Sequence, residues 1–309
     1  LSAIMTIGIT GASGFLAQGL ASFLEQSGQS LWRYSRGPAR AQGHWLQQSP
    51  ADALPCPPPR DGAAGGLDAL VHLAGESLLG LWTAAKRRRM VESRVEGTRR
   101  VIEAMARWPQ ELRPKVLVCA SGAGFYGDRG EQWLTEDSAR GEGFLADLCE
   151  QWEQAAQQAT ALGMRVVQLR LGMVLGREGG ALPLMRLLWR LGLGGVWGDG
   201  QQWQPWIAQQ DVQRLIWHAL QTPTLQGPLN ACAPGLLRHG EFARGLGQAL
   251  HRPTLWRLPK LLAQNLGGAQ VREMMLCSAR VQPAAALASG FVFAQPQLAQ
   301  ALEDLLAPC

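Results

Sequence analysis

Met5-Thr6-Ile7-Gly8-Ile9-Thr10-Gly11-Ala12-Ser13-Gly14-Phe15-Leu16 is the stretch that decides the fold. Met5 to Thr10 reads as a short buried strand that runs directly into glycines. Phe15, Leu16, Leu20, Phe23 and Leu24 then recur at helical spacing, and Gly28 stands where a left-handed cap should close the helix. Between strand and helix, Gly8, Gly11 and Gly14 form a G-x-x-G-x-x-G run. The early glycines are expected to allow the tight turn and a close approach of backbone to a pyrophosphate; the last lets helix and strand pack. Amides at the helix N-terminus, aided by the helix dipole, then face an anion. Strand-turn-helix is the context a dinucleotide fingerprint requires.

Outward from this turn the same rhythm continues. Ser30 to Tyr34 and Ala69 to Leu73 read as strands, and Thr83 to Met105 as a long helix burying Val95, Val101, Ile102 and Met105. Lys115 to Ala120 is a strand, Phe144 to Leu162 a helix and Arg165 to Leu171 a strand. Alternation of this kind predicts an α/β protein, a Rossmann-type doubly wound parallel sheet covered on both faces. From Gly172 onward glycine-rich and proline-rich segments loosen the pattern. Residues 1–172 are therefore expected to form the nucleotide-binding domain, and 173–309 a smaller C-terminal substrate-side lobe that partly returns to the sheet. Met5 is read as the natural beginning of the chain, with Leu1 to Ile4 standing before it.

The end of the second strand selects the cofactor. NAD sites place an acid about 20 residues past the glycines to hold the ribose hydroxyls. Here the chain reads Arg33-Tyr34-Ser35-Arg36-Gly37, with no acid in the segment. Ser35 and Arg36, with Arg40 as a helper, suit a 2'-phosphate, so NADP(H) is the expected cofactor. A solvated basic loop is the other reading of the same residues.

These motifs resemble a known group. Thr10-Gly11-Ala12-Ser13-Gly14-Phe15, His72-Leu73-Ala74-Gly75, Gly97-Thr98 and Ser121 to Gly127 resemble signatures of the extended short-chain dehydrogenase/reductase superfamily. More narrowly, the chain resembles the atypical YfcH-like "epimerase family" proteins of the NAD-dependent epimerase/dehydratase type. The likeness lies in Leu73-Ala74-Gly75-Glu76, Ser93-Arg94, Trp152-Glu153, Gly179 to Leu182, Trp206-Ile207 with Asp211, and Ala279 to Pro283. It runs from about Met5 to Leu306. The resemblance implies an extended Rossmann fold and NADP(H) held by Gly8, Gly11, Ser13, Gly14, Phe15 and Leu16 in the glycine loop. Ser35 and Arg36 are expected at the phosphate, with Leu73, Ala74, Gly75 and Ser121 completing the cofactor site.

The superfamily's catalytic pair, a tyrosine followed four residues later by a lysine, is missing. The chain has two tyrosines, Tyr34 and Tyr126, and the fourth position after each holds Pro38 and Gly130. Lysine occurs only at Lys86, Lys115 and Lys260. Ser121 could still hydrogen-bond a substrate carbonyl, and Tyr126 could donate a proton in place of the missing phenol, its pKa lowered by a cation such as Arg94. Glu76 is a further acid/base candidate. Each has a structural alternative: a strand-end hydroxyl for Ser121, a core ring for Tyr126, a solvated carboxylate for Glu76. Cys149 and His72 read as packing residues. Trp203 and Trp206, with Gln202 and Asp211, could line a substrate mouth.

Composition narrows the class further. A net charge of +5 with 47% apolar residues is ordinary for a globular protein. Six scattered cysteines without CxxC spacing suggest free thiols, a reducing cytoplasm and no metal. The first 30 residues carry no Lys or Arg, so no secretory signal is expected, and no membrane partner. Lys86 to Arg89 is a basic run followed by Glu92 and Glu96, which reads as a solvated helix face and not as a nucleic-acid site. Two functions stay open: an NADP(H)-dependent oxidoreductase or nucleotide-sugar-epimerase-like enzyme acting on an unidentified small molecule, and a catalytically silent NADP(H)-binding redox sensor or interaction module.

Overall fold

The computed structural model describes residues 4–37, 44–47, 54–59, 65–254, 256–259 and 268–307. The chain divides into two compact units. One comprises Leu1–Ser121, Gln151–Leu169 and Ile216–Pro228; the other comprises Gly122–Glu150, Arg170–Leu215 and Leu229–Cys309.

The first unit is organised by the sheet. The strands of the sheet are β1 (Thr6–Thr10), β2 (Ser30–Ser35), β3 (Trp45–Gln47), β4 (Ala69–His72), β5 (Val116–Gly122), β6 (Arg165–Leu171) and β7 (Gly227–Ala231), and most of β7 is counted in the second unit. Their spatial order is β7-β6-β5-β4-β1-β2-β3. Strand β1 pairs in parallel with both β2 and β4, setting Ile7 beside Leu31 and Ala69. Strands β2 and β3, and β4 and β5, also pair in parallel. Ile7, Ile9, Leu70, Val71, Leu117 and Val118 are fully buried. Strands this apolar at consecutive positions need cover on both faces, as the sequence pattern predicts.

Helix α1 (Phe15–Gln26) buries Ala17, Leu20, Ala21 and Leu24 along one stripe. It ends as its sequence predicts. Gly28 adopts φ +75°, Gln29 N–H donates to Leu24 O, and Gly28 N–H donates to Glu25 O. This pair of bonds is a Schellman cap.

The helix expected from Thr83 to Met105 is not regular throughout. Thr83 Oγ1 accepts from Lys86 N–H and starts α2 (Ala84–Val91), a π-helical turn follows at Glu92–Glu96, and α3 (Gly97–Ala106) completes the span. A wider turn changes which side chains face inward. Its consequence here is local: Arg94 is buried and Ser93 Oγ accepts from Glu76 N–H at 2.9 Å.

The second unit is built from short parallel pairs: Met173–Leu175 with Trp206–Ala208, Gly195–Trp197 with Trp256–Leu258, and Trp133–Leu134 with Arg280–Val281. Its main core gathers Leu182, Trp189, Trp206, Phe242, Leu246 and Leu302. Helices α5 (Leu182–Arg190) and α7 (His239–Ala249) supply four of these. Helices α4 (Phe144–Gln157) and α6 (Gln209–Gln221) each contribute residues to both units. Among the described residues no helix is long and apolar enough to cross a membrane.

Candidate active site

Strand order reverses between β1 and β4, and in open α/β sheets such a switch point, at the carboxyl ends of the strands, is where ligands bind. Thr10 and His72 end these two strands, so the glycine turn and the Leu73–Gly75 loop leave the sheet side by side. Gly11 takes φ +65°, and a Cβ there would stand 2.8 Å from Ala74 Cα and 2.9 Å from Ala74 N. Ala12 N–H donates to Tyr34 O, and Gly14 N–H to Gly11 O, which fixes the turn. Ser13 and Gly14 are exposed, Gly14 caps α1 without a side-chain bond, and no acid lies in the first helical turn. The opening of α1 therefore presents the positive end of its dipole with no internal carboxylate to quench it. Gly8 has a different task from the one its spacing suggests. It lies inside β1, where a Cβ would stand 2.6 Å from Leu67 Cδ1 and 3.1 Å from the Tyr34 ring, so packing fixes its identity.

At the end of β2, Ser35 is buried and Arg36 and Gly37 are exposed. Ser35 Oγ accepts from Gly37 N–H at 3.0 Å, which curls the chain at the strand end. Arg33 is not part of this surface, because its guanidinium pairs with Glu25 on α1 at 2.7 Å. Arg40 lies outside the described residues. Arg36 is thus the exposed cation at this strand end among the described residues.

Leu73 and Ala74 are half-buried and Gly75 is exposed. A Cβ on Gly75 would stand 3.1 Å from Arg94 Cζ, and Arg94 lies over the Trp152 ring at 5.1 Å. Glu76 accepts from Lys86 Nζ at 2.8 Å and from Arg89 Nε at 3.4 Å. The hydrogen bond from Lys86 above all holds its carboxyl below the ordinary carboxylate range. Glu76 is therefore held as an anion against the basic helix α2, which disfavours the acid half of its acid/base reading. The same contacts account for two members of the Lys86–Arg89 run.

Behind the loop lies a buried polar chain. Thr98 Oγ1 donates to Arg94 O, so it accepts from His72 Nε2–H at 3.0 Å and from Trp152 Nε1–H at 3.0 Å. His72 Nδ1 then accepts from Thr10 Oγ1–H at 2.6 Å. These bonds fix a neutral imidazole, and burial lowers its pKa to about 4. Burial likewise pushes the Cys119 thiol well above the ordinary thiol range, with Glu153 adding to the effect.

Ser121, 4% exposed, donates its hydroxyl proton to Glu153 Oε1 at 2.7 Å. This changes the reading of Ser121. A hydroxyl whose proton is committed to a carboxylate presents lone pairs, so it receives a donor and does not donate to a substrate carbonyl. Glu153 is the residue that sequence reasoning missed. Its signal was an acid inside an apolar stripe, among buried Leu148, Cys149, Trp152, Ala155 and Ala156 on α4.

In the second unit Tyr126 is fully buried. Its hydroxyl lies 2.7 Å from Asn230 Oδ1 and 3.0 Å from Thr135 O, and accepts from Arg170 Nη1–H at 2.9 Å. The cation beside it is Arg170, not Arg94. Burial outweighs that cation and raises the phenol to about 12. The expectation of a proton donor with a lowered pKa is corrected: Tyr126 is a bonded core phenol. The other candidates in this unit are also structural. Trp206 donates Nε1–H to Gly235 O, and Asp211 accepts from the amides of Ala294 and Gln295. Gln202 donates to Trp197 O and Met275 O. Trp203 carries the guanidiniums of Arg238 and Arg280 over its ring, each at 4.5 Å. Cys149 belongs to a core cluster with Phe125, Tyr126 and Leu134. Among the described residues no group of three or more His, Cys, Asp or Glu is placed to hold a metal.

Residues 7–231 match the NAD dependent epimerase/dehydratase family, and residues 258–305 match a domain of unknown function, DUF1731. The Bacillus subtilis epimerase family protein YfhF is 33% identical over 311 residues, covering 98% of each chain. The human epimerase family protein SDR39U1 is 34% identical over 307 residues, covering 98% of this chain and all of the relative. A crystal structure of human SDR39U1 with NADPH superposes with a TM-score of 0.86 at 32% identity, over 97% of this chain and 99% of that one. The Bacillus cereus UDP-N-acetylglucosamine 4-epimerase, at 16% identity and a TM-score of 0.73 over 97% of this chain and 98% of that one, shares the fold. With its glycine turn at the β1–β4 switch point and its match over nearly three quarters of its length, the chain belongs to the NAD dependent epimerase/dehydratase family.

Proposed function

We propose that the protein binds NADP(H) at the β1–β4 switch point and serves as an oxidoreductase or epimerase-like enzyme for a small molecule, working without the Tyr-Lys pair. The observation that carries the cofactor is the end of β2, where Ser35 and exposed Arg36 stand with no acid between Arg33 and Gly37. The NADPH in human SDR39U1 supports the same assignment. Gly11, Ser13, Gly14 and the first residues of α1, Phe15 and Leu16, would hold the pyrophosphate. Arg36 would hold the 2'-phosphate, and Leu73, Ala74 and Gly75 would border the cofactor. When bound, the cofactor supplies a hydride donor or acceptor. Ser121, fixed by Glu153, would accept a hydrogen bond from an amide or hydroxyl of the bound molecules. In this reading the first unit serves the nucleotide and the second the substrate.

A second reading is a catalytically silent NADP(H) binder. It is favoured by the internal hydrogen bonds that occupy both retained hydroxyls, Ser121 and Tyr126. Two measurements test these readings in order. Calorimetric titration of NADPH into the full chain should show binding of one molecule; no binding would sink both. A screen of carbonyl compounds and nucleotide sugars should then reveal turnover through nicotinamide absorbance or product epimerisation. Tight NADPH binding with no turnover on any compound would favour the silent reading.

A further inference from the structure

The second unit contains a cavity of about 300 Å³ that none of the preceding chemistry uses. It is walled by Arg238 and Arg244 of the α7 region, by Arg257 of the strand Trp256–Leu258, and by the turn around Asp199 and Gly200. Val196 is the one apolar side chain among its lining residues, so the cavity is unsuited to an apolar ligand.

Two glycines form the floor. Gly200 takes φ +74°, and a Cβ on it would stand 2.6 Å from Val196 Cγ1 and 3.1 Å from Gly240 Cα. A Cβ on Gly240 would stand 3.2 Å from Gly200 O and 3.5 Å from Arg244 Nη1. Arg244 therefore folds back over the first turn of its own helix, four residues from Gly240, instead of extending away from it.

The three guanidiniums are not equivalent. Arg238 is spent: both terminal nitrogens bond Glu131, and Nη1 also donates to Gln201 O. Arg244 and Arg257 have no carboxylate partner among the described residues. Neither of the two acids on the cavity wall pairs with them. Asp199 Oδ1 accepts from Gln201 N–H, and Glu241 Oε2 accepts from Arg238 N–H as part of the helix cap. Nor are the amides at the start of α7 open, since those of His239 and Gly240 donate to Gln202 O and Gly200 O. What the cavity offers a ligand is two planar, permanently charged forks carried by different elements.

We propose that this cavity binds a small oxyanion carrying two or more negative charges, gripped by Arg244 and Arg257. Phosphate and carboxylate groups share the geometry that a guanidinium fork matches. Inorganic pyrophosphate and citrate are the two probes that separate these sources, and the tighter of the two identifies the ligand chemistry.

The test is calorimetric titration of each probe into the full chain at low ionic strength, with and without saturating NADPH. Pyrophosphate can also enter the glycine loop, and NADPH removes that event; binding in the second unit persists in its presence. Saturable uptake of one anion per chain is expected with NADPH bound. Arg244→Gln and Arg257→Gln should each weaken it about tenfold or more, as loss of a charge-assisted hydrogen bond implies, and added chloride salt should weaken it as well. Both arginines are exposed, so the variants should fold, and unchanged NADPH affinity shows that they have. No saturable binding of either probe by the wild type, or binding that survives both substitutions, overturns the proposal. Neither outcome bears on the nucleotide assignment, which the NADPH titration reads separately.

Discussion

Ser121 gives its proton to Glu153 across 2.7 Å, joining the end of β5 to the buried face of α4. Both groups are buried, so the bond is made out of water and its loss is felt in stability. Removing the donor takes one buried hydrogen bond away from the Glu153 carboxylate, which costs about 1–3 kcal/mol. Ser121→Ala should therefore lower the unfolding free energy by that amount, seen as a lower urea midpoint at an unchanged denaturant slope. Ser121→Thr, which keeps the hydroxyl, should retain more of the stability. An alanine variant as stable as the wild type would show that the bond contributes nothing.

The sequence was readable where one element carries its own evidence. Strand β1, the glycine turn, α1 and its Gly28 cap lie within 24 residues, Met5 to Gly28, and each signal is local. The acid-free end of β2 is local too. What could not be read depends on distant partners. Tyr126 looked like a replacement phenol because nothing nearby shows that Asn230 and Arg170, 104 and 44 residues away, claim its hydroxyl. That Arg33 pairs with Glu25 on α1, which leaves Arg36 as the exposed cation, likewise depends on folding. Glu153 is not legible locally, because an acid in an apolar helical stripe has no meaning until the strand bearing Ser121 lies beside it. The π-helical turn at Glu92–Glu96 leaves no periodic trace, since an interruption this short hardly alters the apolar spacing.

A second prediction concerns Gly11. The reading of a glycine loop alone suggests that a side chain there blocks the nucleotide and spares the fold. The structure assigns two further costs, because the residue has φ +65° and its Cβ would meet the backbone of Ala74. A non-glycine residue in the left-handed region costs about 1–2 kcal/mol, and backbone cannot yield as a flexible side chain can. Gly11→Ala should therefore lower stability by at least about 1 kcal/mol and weaken NADPH at the same time. Thermal unfolding and titration on the same preparation check this. Lost NADPH binding at full stability would mean that the Leu73–Ala74 backbone moves aside freely.

Acid sensitivity follows from two buried imidazoles. Burial lowers His72 and His239 from 6.5 to about 4 each. Between these values the unfolded chain binds protons that the folded protein refuses, so the contribution of these two rings to stability falls as pH drops from 6.5 to 4 and levels off below. Each group removes up to about 3 kcal/mol over that window, at 1.36 kcal/mol per pH unit. His72→Gln should reduce the slope of stability against pH by about half, whatever it does to stability at neutral pH. Urea unfolding at several pH values checks this. A wild-type profile that is flat from pH 6.5 to 4 would contradict the buried neutral state of both rings.

Cofactor preference is the sharpest consequence of the end of β2. The 2'-phosphate carries close to two negative charges at neutral pH, and a site that selects it needs a cation and must omit a carboxylate. Arg36 is exposed at the strand end, Arg33 is held by Glu25, and no acid stands between Arg33 and Gly37. On the proposed assignment Arg36 would carry the discrimination among the described residues, and a charge-assisted hydrogen bond contributes about 1.5–3 kcal/mol. NADPH should bind at least about tenfold more tightly than NADH, since about 1.4 kcal/mol is a factor of ten. Arg36→Ala should erase most of that difference by weakening NADPH while leaving NADH nearly unchanged, because the adenosine and pyrophosphate contacts remain. Arg33→Ala should act differently, lowering stability slightly through the lost Glu25 pair and leaving the NADPH to NADH ratio alone. Rising salt should narrow the gap in the wild type more than in Arg36→Ala, since screening acts on the phosphate–guanidinium contact. Competitive titration of both nucleotides against the three proteins decides the matter. Equal affinities in the wild type, or a ratio that responds to Arg33 and not to Arg36, would remove Arg36 from the site.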